Sequence, residues 1–287
     1  MGAHSRRLVR RFRSLFEGFL ALAKNQGIHI SEMSSTKIDL EGKNILLTGA
    51  SDGIGRGVAD YLMQMGGKVA VHYNTNKKAA QQLVDCHGNG SKIFQADLSR
   101  ENEVYQLFHK VETVFKKIDV VILNAGVFLS HSTTMTSAEW LTVWKKTMAI
   151  NLDSVGLLTK LGLDHFKKQG EGRFIYIGGR AVFRGETEEY LAYAASKGGL
   201  TSLARSVARS FGKQNIKSFV VSPGFTRTKM AETFIETYGE ERVLDEISLN
   251  KLTEPKDLAP MIALMCNGLM DHATGATIDV NAGSHIR

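Results

Sequence analysis

Short, uninterrupted apolar runs alternate along this chain with longer stretches in which apolar residues recur every three to four positions. The runs fall at 44–48, 68–73, 92–96, 119–123, 173–177, 217–221 and 277–280. They are rich in Val, Ile and Leu and lack polar alternation. A strand with one wet face alternates, whereas a strand covered on both faces does not. The intervening stretches carry helical periodicity, and those around 137–169 and 190–213 are long. Strand–helix alternation of this kind predicts an α/β fold: a single doubly wound parallel sheet of about seven strands with helices on both faces. No second core is required, so residues 38–287 are read as one domain.

The chain ahead of that pattern reads differently. Leu8, Val9, Phe12, Leu15, Phe16, Phe19, Leu20 and Ala23 recur at helical spacing, with arginines mostly on the other face. Arg6, Arg7, Arg10, Arg11, Arg13 and Lys24 against Glu17 give residues 1–30 a net +5 of the chain's +7. The basic character therefore belongs to the arm. The body, at +2, has no charge pattern that calls for nucleic acid. Residues 1–37 are read as a basic amphipathic arm and linker. The arm either docks on its own domain or a neighbouring subunit, rests on an anionic membrane surface through residues 6–23, serves as a targeting segment, or is a plain extension. No run reaches the ~18 apolar residues of a membrane span. Two cysteines, Cys86 and Cys266, form no disulfide framework. They are read as small buried apolar residues in a reducing, cytoplasmic compartment, with membrane association through the arm left open.

Candidate chemistry begins after the first run, at Thr48-Gly-Ala-Ser-Asp-Gly-Ile-Gly55. Gly49, Gly53 and Gly55 lie between a predicted strand and a predicted helix. Glycine permits the sharp turn and lets backbone approach a pyrophosphate, while the helix N-terminus offers N–H groups and partial positive charge. The second run ends His72-Tyr73-Asn74-Thr75-Asn76-Lys77-Lys78, with no acid before Asp85. Sites for NAD place an acid here to hold the ribose 2′-hydroxyl. Amides such as Asn74, a hydroxyl and lysines instead tolerate a 2′-phosphate, so NADP(H) is favoured over NAD(H). Asp52, a negative charge in the glycine loop, works against that preference.

Further motifs follow in order: Asp97-Leu98, Asn124-Ala-Gly126, Asn151, Tyr193-x-x-x-Lys197, and Pro223-Gly224 with Thr226 and Thr228. In this order and spacing the chain resembles the short-chain dehydrogenase/reductase family over roughly residues 40–284, most closely its 3-oxoacyl-carrier-protein reductase type. The resemblance implies a Rossmann fold. It implies that Gly49, Ser51, Asp52, Gly53, Ile54 and Gly55 wrap the cofactor phosphates and ribose, and that Asp97 and Leu98 flank the adenine. Asn124, Ala125 and Gly126 would line the nicotinamide ribose. Pro223, Gly224, Thr226 and Thr228 would hold the nicotinamide end, and residues 226–250 would form a mobile substrate lid. No metal is implied.

Ketone reduction needs a hydride on carbon and a proton on oxygen. Tyr193 would be the proton donor, but a free phenol titrates near pH ~10. Lys197 lies four residues on, on the same helix face, and its charge would stabilise the phenolate and lower that pKa. Lys197 would also grip the nicotinamide ribose. Asn151 resembles the relay residue that holds a proton-supplying water. Tyr190 lies on roughly the same face and is read as a pocket wall.

One position departs from the pattern. The family places a Ser at the end of the fifth strand, where its hydroxyl bonds the substrate oxygen. Ile177-Gly178-Gly179 stands there instead, with Gly179 at the Ser position. Loss of one preorganised donor costs ~10²–10³ in rate. Three outcomes stay open: slow reduction with Tyr193 as the one side-chain donor, rescue by a water or a backbone N–H, or cofactor binding without turnover. Arg180 and Arg184, beside the glycine pair, are read first as surface or interface residues, and second as a replacement donor or a clamp for an acidic substrate. Asn281-Ala282-Gly283 departs from a family Gly-Gly in a way that matters for packing.

Two functions are therefore carried forward. One is an NADP(H)-dependent oxidoreductase acting on a small carbonyl substrate, with a 3-oxoacyl thioester and hence lipid metabolism in view. The other is a weakly active or inactive nucleotide-binding subunit or regulator. The resemblance also implies a homotetramer, with 137–169 and 190–213 as its interface.

Overall fold

The computed structural model describes residues 38–229, 231–232, 235 and 239–286. The N-terminal arm, and every expectation placed on it, lies outside the described residues. The apolar runs become β1 (Asn44–Leu47), β2 (Lys68–Tyr73), β3 (Lys92–Gln95), β4 (Val120–Leu123), β5 (Gly172–Ile177), β6 (Ile216–Pro223) and β7 (Thr277–Val280). All pair in parallel, in the order β3-β2-β1-β4-β5-β6-β7. Ile45, Leu46 and Leu47 are fully buried, as are Val120, Val121 and Ile122. Burial on both faces explains why these strands read as continuous apolar runs.

Helices connect the strands and cover the sheet: α1 (Gly53–Gln64), α2 (Lys77–Asp85), α3 (Glu101–Phe115), α4 (Ser137–Met148), α5 (Ser154–Gln169), α6 (Ala181–Arg184), α7 (Leu191–Phe211), α8 (Glu240–Leu244) and α9 (Pro255–Asn267). α3 packs Val104, Leu107, Phe108 and Val111 into one core with Phe166 of α5 and Phe174 and Tyr176 of β5. The capping box at Thr136 and Glu139 fixes where α4 begins.

Two features position the site. First, the chain runs from β1 outward to β2 and β3, then returns to place β4 on the other side of β1. The carboxyl ends of β1 and β4 are therefore the point where strand order reverses, the usual ligand position in such sheets. Second, α4 and α5 are not one continuous helix. A π-helical turn, Ala149–Asp153, joins them. Such turns cluster at functional positions, and this one carries Asn151.

Two sequence expectations are corrected here. Cys86 is exposed, while Cys266 is buried as expected. Arg180 is no surface residue: it is 5 % exposed. Its guanidinium lies over the Phe225 ring at 4.4 Å and donates to Glu246 at 3.0 Å.

Candidate active site

The loops after β1 and β4 are tied together by two side chains. Thr48 Oγ1 accepts from the N–H groups of Asn124 and Ala125, both at 3.0 Å. Asn124 Nδ2 donates to the carbonyls of Thr48 at 2.8 Å and Gly49 at 3.1 Å. The approach excludes larger residues. Gly49 has φ +64°, and a Cβ there would stand 2.9 Å from Ala125 Cα. A Cβ on Gly55 would stand 2.1 Å from the Gly49 carbonyl oxygen. The glycine spacing is thus set by backbone-to-backbone packing as well as by room for a ligand. Asp52 caps α1 by accepting from Gly53 N at 2.8 Å, and its other oxygen lies 3.3 Å from Lys229 Nζ.

A cleft of about 460 Å³ runs along these loops. Gly49, Ser51, Asp52, Gly53, Ile54 and Gly55 form one wall, and Asn124, Ala125 and Gly126 another. Asn74, Asp97 and Leu98 line one end; Tyr193, Lys197, Pro223 and Thr228 line the other. A cradle of glycine backbone beside a helix N-terminus, ending in an amide-lined recess, fits a dinucleotide. Asp97 is a fixed acceptor rather than a free charge. It takes the Ser99 N–H at 3.0 Å and hydroxyl at 2.7 Å, and these bonds hold its carboxyl below the usual range.

At the inner end, Lys197 Nζ donates to the Ile177 carbonyl at 2.8 Å and lies 5.8 Å from the Tyr193 ring centre. Burial pulls the ammonium down to about 8, so it stays mostly charged at neutral pH. Tyr193 is pushed up, first by burial and then by the negative charge of Glu186. Asn151 is fully buried. Its Oδ1 accepts from Val127 N at 2.8 Å, while Nδ2 donates to Val127 O at 2.9 Å and Ser196 Oγ at 3.1 Å. Ser196 donates in turn to the Tyr193 carbonyl at 2.8 Å. The loop after β4, the π-turn and α7 are therefore one hydrogen-bonded unit.

A second chamber, about 480 Å³, opens on the far side of Tyr193 and contains Gly179, Arg180, Glu186, Thr187, Tyr190 and Phe225. Tyr193, Ile54, Pro223 and Thr228 border both spaces. Gly224 and Thr226, expected at the nicotinamide end, line only this chamber. Tyr190 is a wall, stacked on Phe128 at 3.7 Å, and Phe128 meets Tyr193 edge-on at 4.8 Å. Gly179, not Gly178, faces the phenol: a Cβ on Gly179 would lie 3.2 Å from the Tyr193 hydroxyl, whereas one on Gly178 would meet Val220. Glu246 accepts from Arg180 and Arg184, each at 3.0 Å, and so links the segment after β6 to the segment after β5.

Several lining residues escaped the sequence reading. His72, Val127, Ile150 and Lys229 border the cleft; Phe128 and Glu186 border the chamber. A histidine inside an otherwise apolar strand was a usable signal. For Glu186, on a polar connection, there was none. Among the described residues no group of three or more His, Cys, Asp or Glu is placed to hold a metal ion. No helix among them is long and apolar enough to cross a membrane.

A switch-point cleft, a glycine loop and a Tyr/Lys pair at the cleft's inner end define an oxidoreductase of the dinucleotide-dependent class. The chain belongs to the short-chain dehydrogenase/reductase family: residues 49–285 match the family described as Enoyl-(Acyl carrier protein) reductase. It is similar to the 3-oxoacyl-(acyl-carrier-protein) reductase FabG of Aquifex aeolicus, at 27 % identity over 250 residues, covering 86 % of this chain and 99 % of that one. The FabG of Escherichia coli K12 is 28 % identical over 249 residues, covering 87 % of this chain and all of that one. Among solved structures, the angucycline C-6 ketoreductase LanV, which has NADP bound, superposes with a TM-score of 0.77 at 28 % identity, covering 86 % and 96 % of the two chains.

Proposed function

We propose that this protein is an NADP(H)-dependent reductase of a small carbonyl compound, with 3-oxoacyl thioesters the first class to test. The observation that carries this reading is that Tyr193 borders both cavities, with its hydroxyl toward Gly179 and Lys197 beside its ring. When bound, the nicotinamide supplies the hydride to the carbonyl carbon. Tyr193 gives its proton to the carbonyl oxygen, and Lys197 stabilises the phenolate that remains. Burial alone makes Tyr193 a reluctant acid. The charge on Lys197, and that of the oxidised ring, offset this penalty where the reaction occurs. Asn151 fixes the loop after β4 against α7 and so holds Tyr193 in place.

Three observations support NADP(H). The end of β2 presents Asn74, Thr75 and Asn76 to the cleft and no acid. The nearby Asp52 carboxylate is balanced by Lys229. LanV, a relative of similar fold, carries NADP. A homo-oligomer formed through α4, α5 and α7 is consistent with the exposed Leu141 and Leu191 on these helices. The reading places the body in the cytoplasm, with the arm as the segment to test for membrane contact.

Gly179 favours a second reading, a nucleotide-binding subunit with little turnover. Purified protein with NADPH and a panel of 3-oxoacyl thioesters and simple ketones decides between them. Turnover that is abolished by Tyr193→Phe is expected. Activity that survives Tyr193→Phe would remove Tyr193 as donor, and NADPH binding without turnover of any ketone would leave the second reading standing.

A further inference from the structure

His72 is a buried polar side chain to which the chemistry above gives no task. It sits near the end of β2, 2 % exposed, among Val69, Ala70 and Val71. Both ring nitrogens are engaged. Nε2 lies 3.0 Å from the Ala96 carbonyl, which only accepts, so Nε2 carries the proton. Nδ1 is then the acceptor for the Gly49 N–H at 2.9 Å. The His72 backbone carbonyl accepts from Ala50 N at 2.9 Å. One residue thus fastens two consecutive amides of the glycine loop and reaches across β2 to the end of β3. Immediately after Ala96 come Asp97 and Leu98, which line the cleft.

From this geometry we infer that His72 is a positioning residue for the dinucleotide, setting the spacing between the glycine loop and the β3 end through one fixed neutral tautomer. The inference rests on the proposed dinucleotide site but not on the identity of the carbonyl substrate. Doubly protonated imidazole has no acceptor and would turn the Gly49 bond into an N–H against N–H clash. Burial opposes that form, lowering the ring to about 4, so the tautomer persists across neutral pH. Gly49 itself has φ +64°. Glycine reaches many other conformations equally well, so this one is selected by the bonds at its two ends, His72 to its amide and Asn124 to its carbonyl. Because His72 also borders the cleft beside Asn74, the effect falls on the adenosine half of the site, away from Tyr193.

The test uses His72→Leu, which removes both bonds, His72→Asn, which keeps an acceptor near the Nδ1 position, and His72→Gln, which keeps a donor near Nε2. NADPH binding is read by its fluorescence, and kcat and the KM for NADPH are measured with whichever ketone the wild type reduces. Leaving one buried partner unsatisfied predicts a rise in NADPH Kd of roughly tenfold or more for His72→Leu. His72→Asn should recover part of that loss, and kcat at saturating NADPH should stay within about twofold of wild type. Nitrogen-15 NMR of the imidazole should report the Nε2–H tautomer. A His72→Leu protein that melts earlier but binds NADPH as tightly as wild type would show a purely structural residue and overturn the inference. A kcat loss with unchanged Kd would overturn it too. Failure of the wild type to bind NADPH would instead strike the proposed cofactor site itself.

Discussion

Gly179 faces Tyr193 so closely that a Cβ on the glycine would stand 3.2 Å from the tyrosine hydroxyl. That separation is tight for a methylene but within the give of a ring that shifts by a few tenths of an ångström. A serine there would carry its own hydroxyl beside that of Tyr193, the proposed proton donor. Gly179→Ser is therefore expected to raise kcat for carbonyl reduction by ~10–10², toward the ~10²–10³ that one preorganised donor contributes. Gly179→Ala separates crowding from hydrogen bonding, since it brings the same Cβ without the donor. Steady-state NADPH oxidation reads both. If the Ser and Ala variants behave alike, the missing hydroxyl is not what limits the enzyme.

Glu186 bears on the same phenol through charge. Burial is the main cause of the raised Tyr193 pKa, and the Glu186 carboxylate adds to it. In the proposed mechanism alcohol oxidation requires the phenolate, so its rate should climb as pH rises toward the Tyr193 pKa. Removing a negative charge stabilises the phenolate and shifts that climb to lower pH. Glu186→Gln should oxidise alcohols faster than wild type at neutral pH, with the alkaline limb of the reduction profile also displaced downward. Glu188, another chamber carboxylate, accepts from Thr133, and Glu188→Gln serves as the control. An unchanged profile for Glu186→Gln would remove its carboxylate from the chemistry.

Much of this arrangement is legible in the sequence, and the reason is local. The seven strands announce themselves because each is a buried apolar run, and the glycine loop and the Tyr193–Lys197 pair are each contained within eight residues. What stayed hidden is held together over long separations. Arg180 is buried beneath groups distant in sequence, among them Phe225 and, 66 positions on, Glu246. His72 is satisfied by Gly49 and Ala96, just past the ends of β1 and β3 and 23 and 24 positions away. A sequence shows a polar residue in such places but not the groups that satisfy it. The π-turn that seats Asn151 was equally silent, since 137–169 has helical periodicity throughout.

In the proposed mechanism Lys197 serves catalysis at a cost in stability. Its folded-state pKa, about 8, is depressed from 10.5 by burial. Below about pH 8 the ammonium is charged in both folded and unfolded chains, and the folded state carries the whole burial penalty. Between about 8 and 10.5 the folded protein releases the proton first, the unfolded chain binds more protons, and stability rises with pH. Lys197→Met should abolish turnover. In cofactor-free protein at pH 7 it should gain on the order of 1–2 kcal/mol, a penalty of ~3 relieved against ~1 for the lost bond to Ile177. Urea unfolding from pH 7 to 10.5 tests the sign: the variant's advantage should shrink as pH rises. A variant less stable than wild type at every pH would contradict it.

Ala282 offers a test away from the chemistry. It adopts φ +52°, and Gly283 beside it φ +75°. The first is a left-handed conformation in which a Cβ crowds the following carbonyl, costing roughly 1–2 kcal/mol. The backbone is held there from both sides. The Ala282 carbonyl accepts from Ser248 N at 2.8 Å, and Asn281 Oδ1 accepts from Gly283 N at 3.0 Å. Ala282→Gly relieves the crowding but gives the unfolded chain more freedom, for a net gain of about 0.5–1 kcal/mol. The NADPH cleft does not include this turn, so cofactor binding should be unchanged. Gly283→Ala should do the opposite and lose more, because its Cβ would also lie 2.5 Å from Ser248 Oγ. Denaturant midpoints of the two variants therefore move in opposite directions. A common direction would mean that Ser248, rather than backbone conformation, dictates what position 282 tolerates.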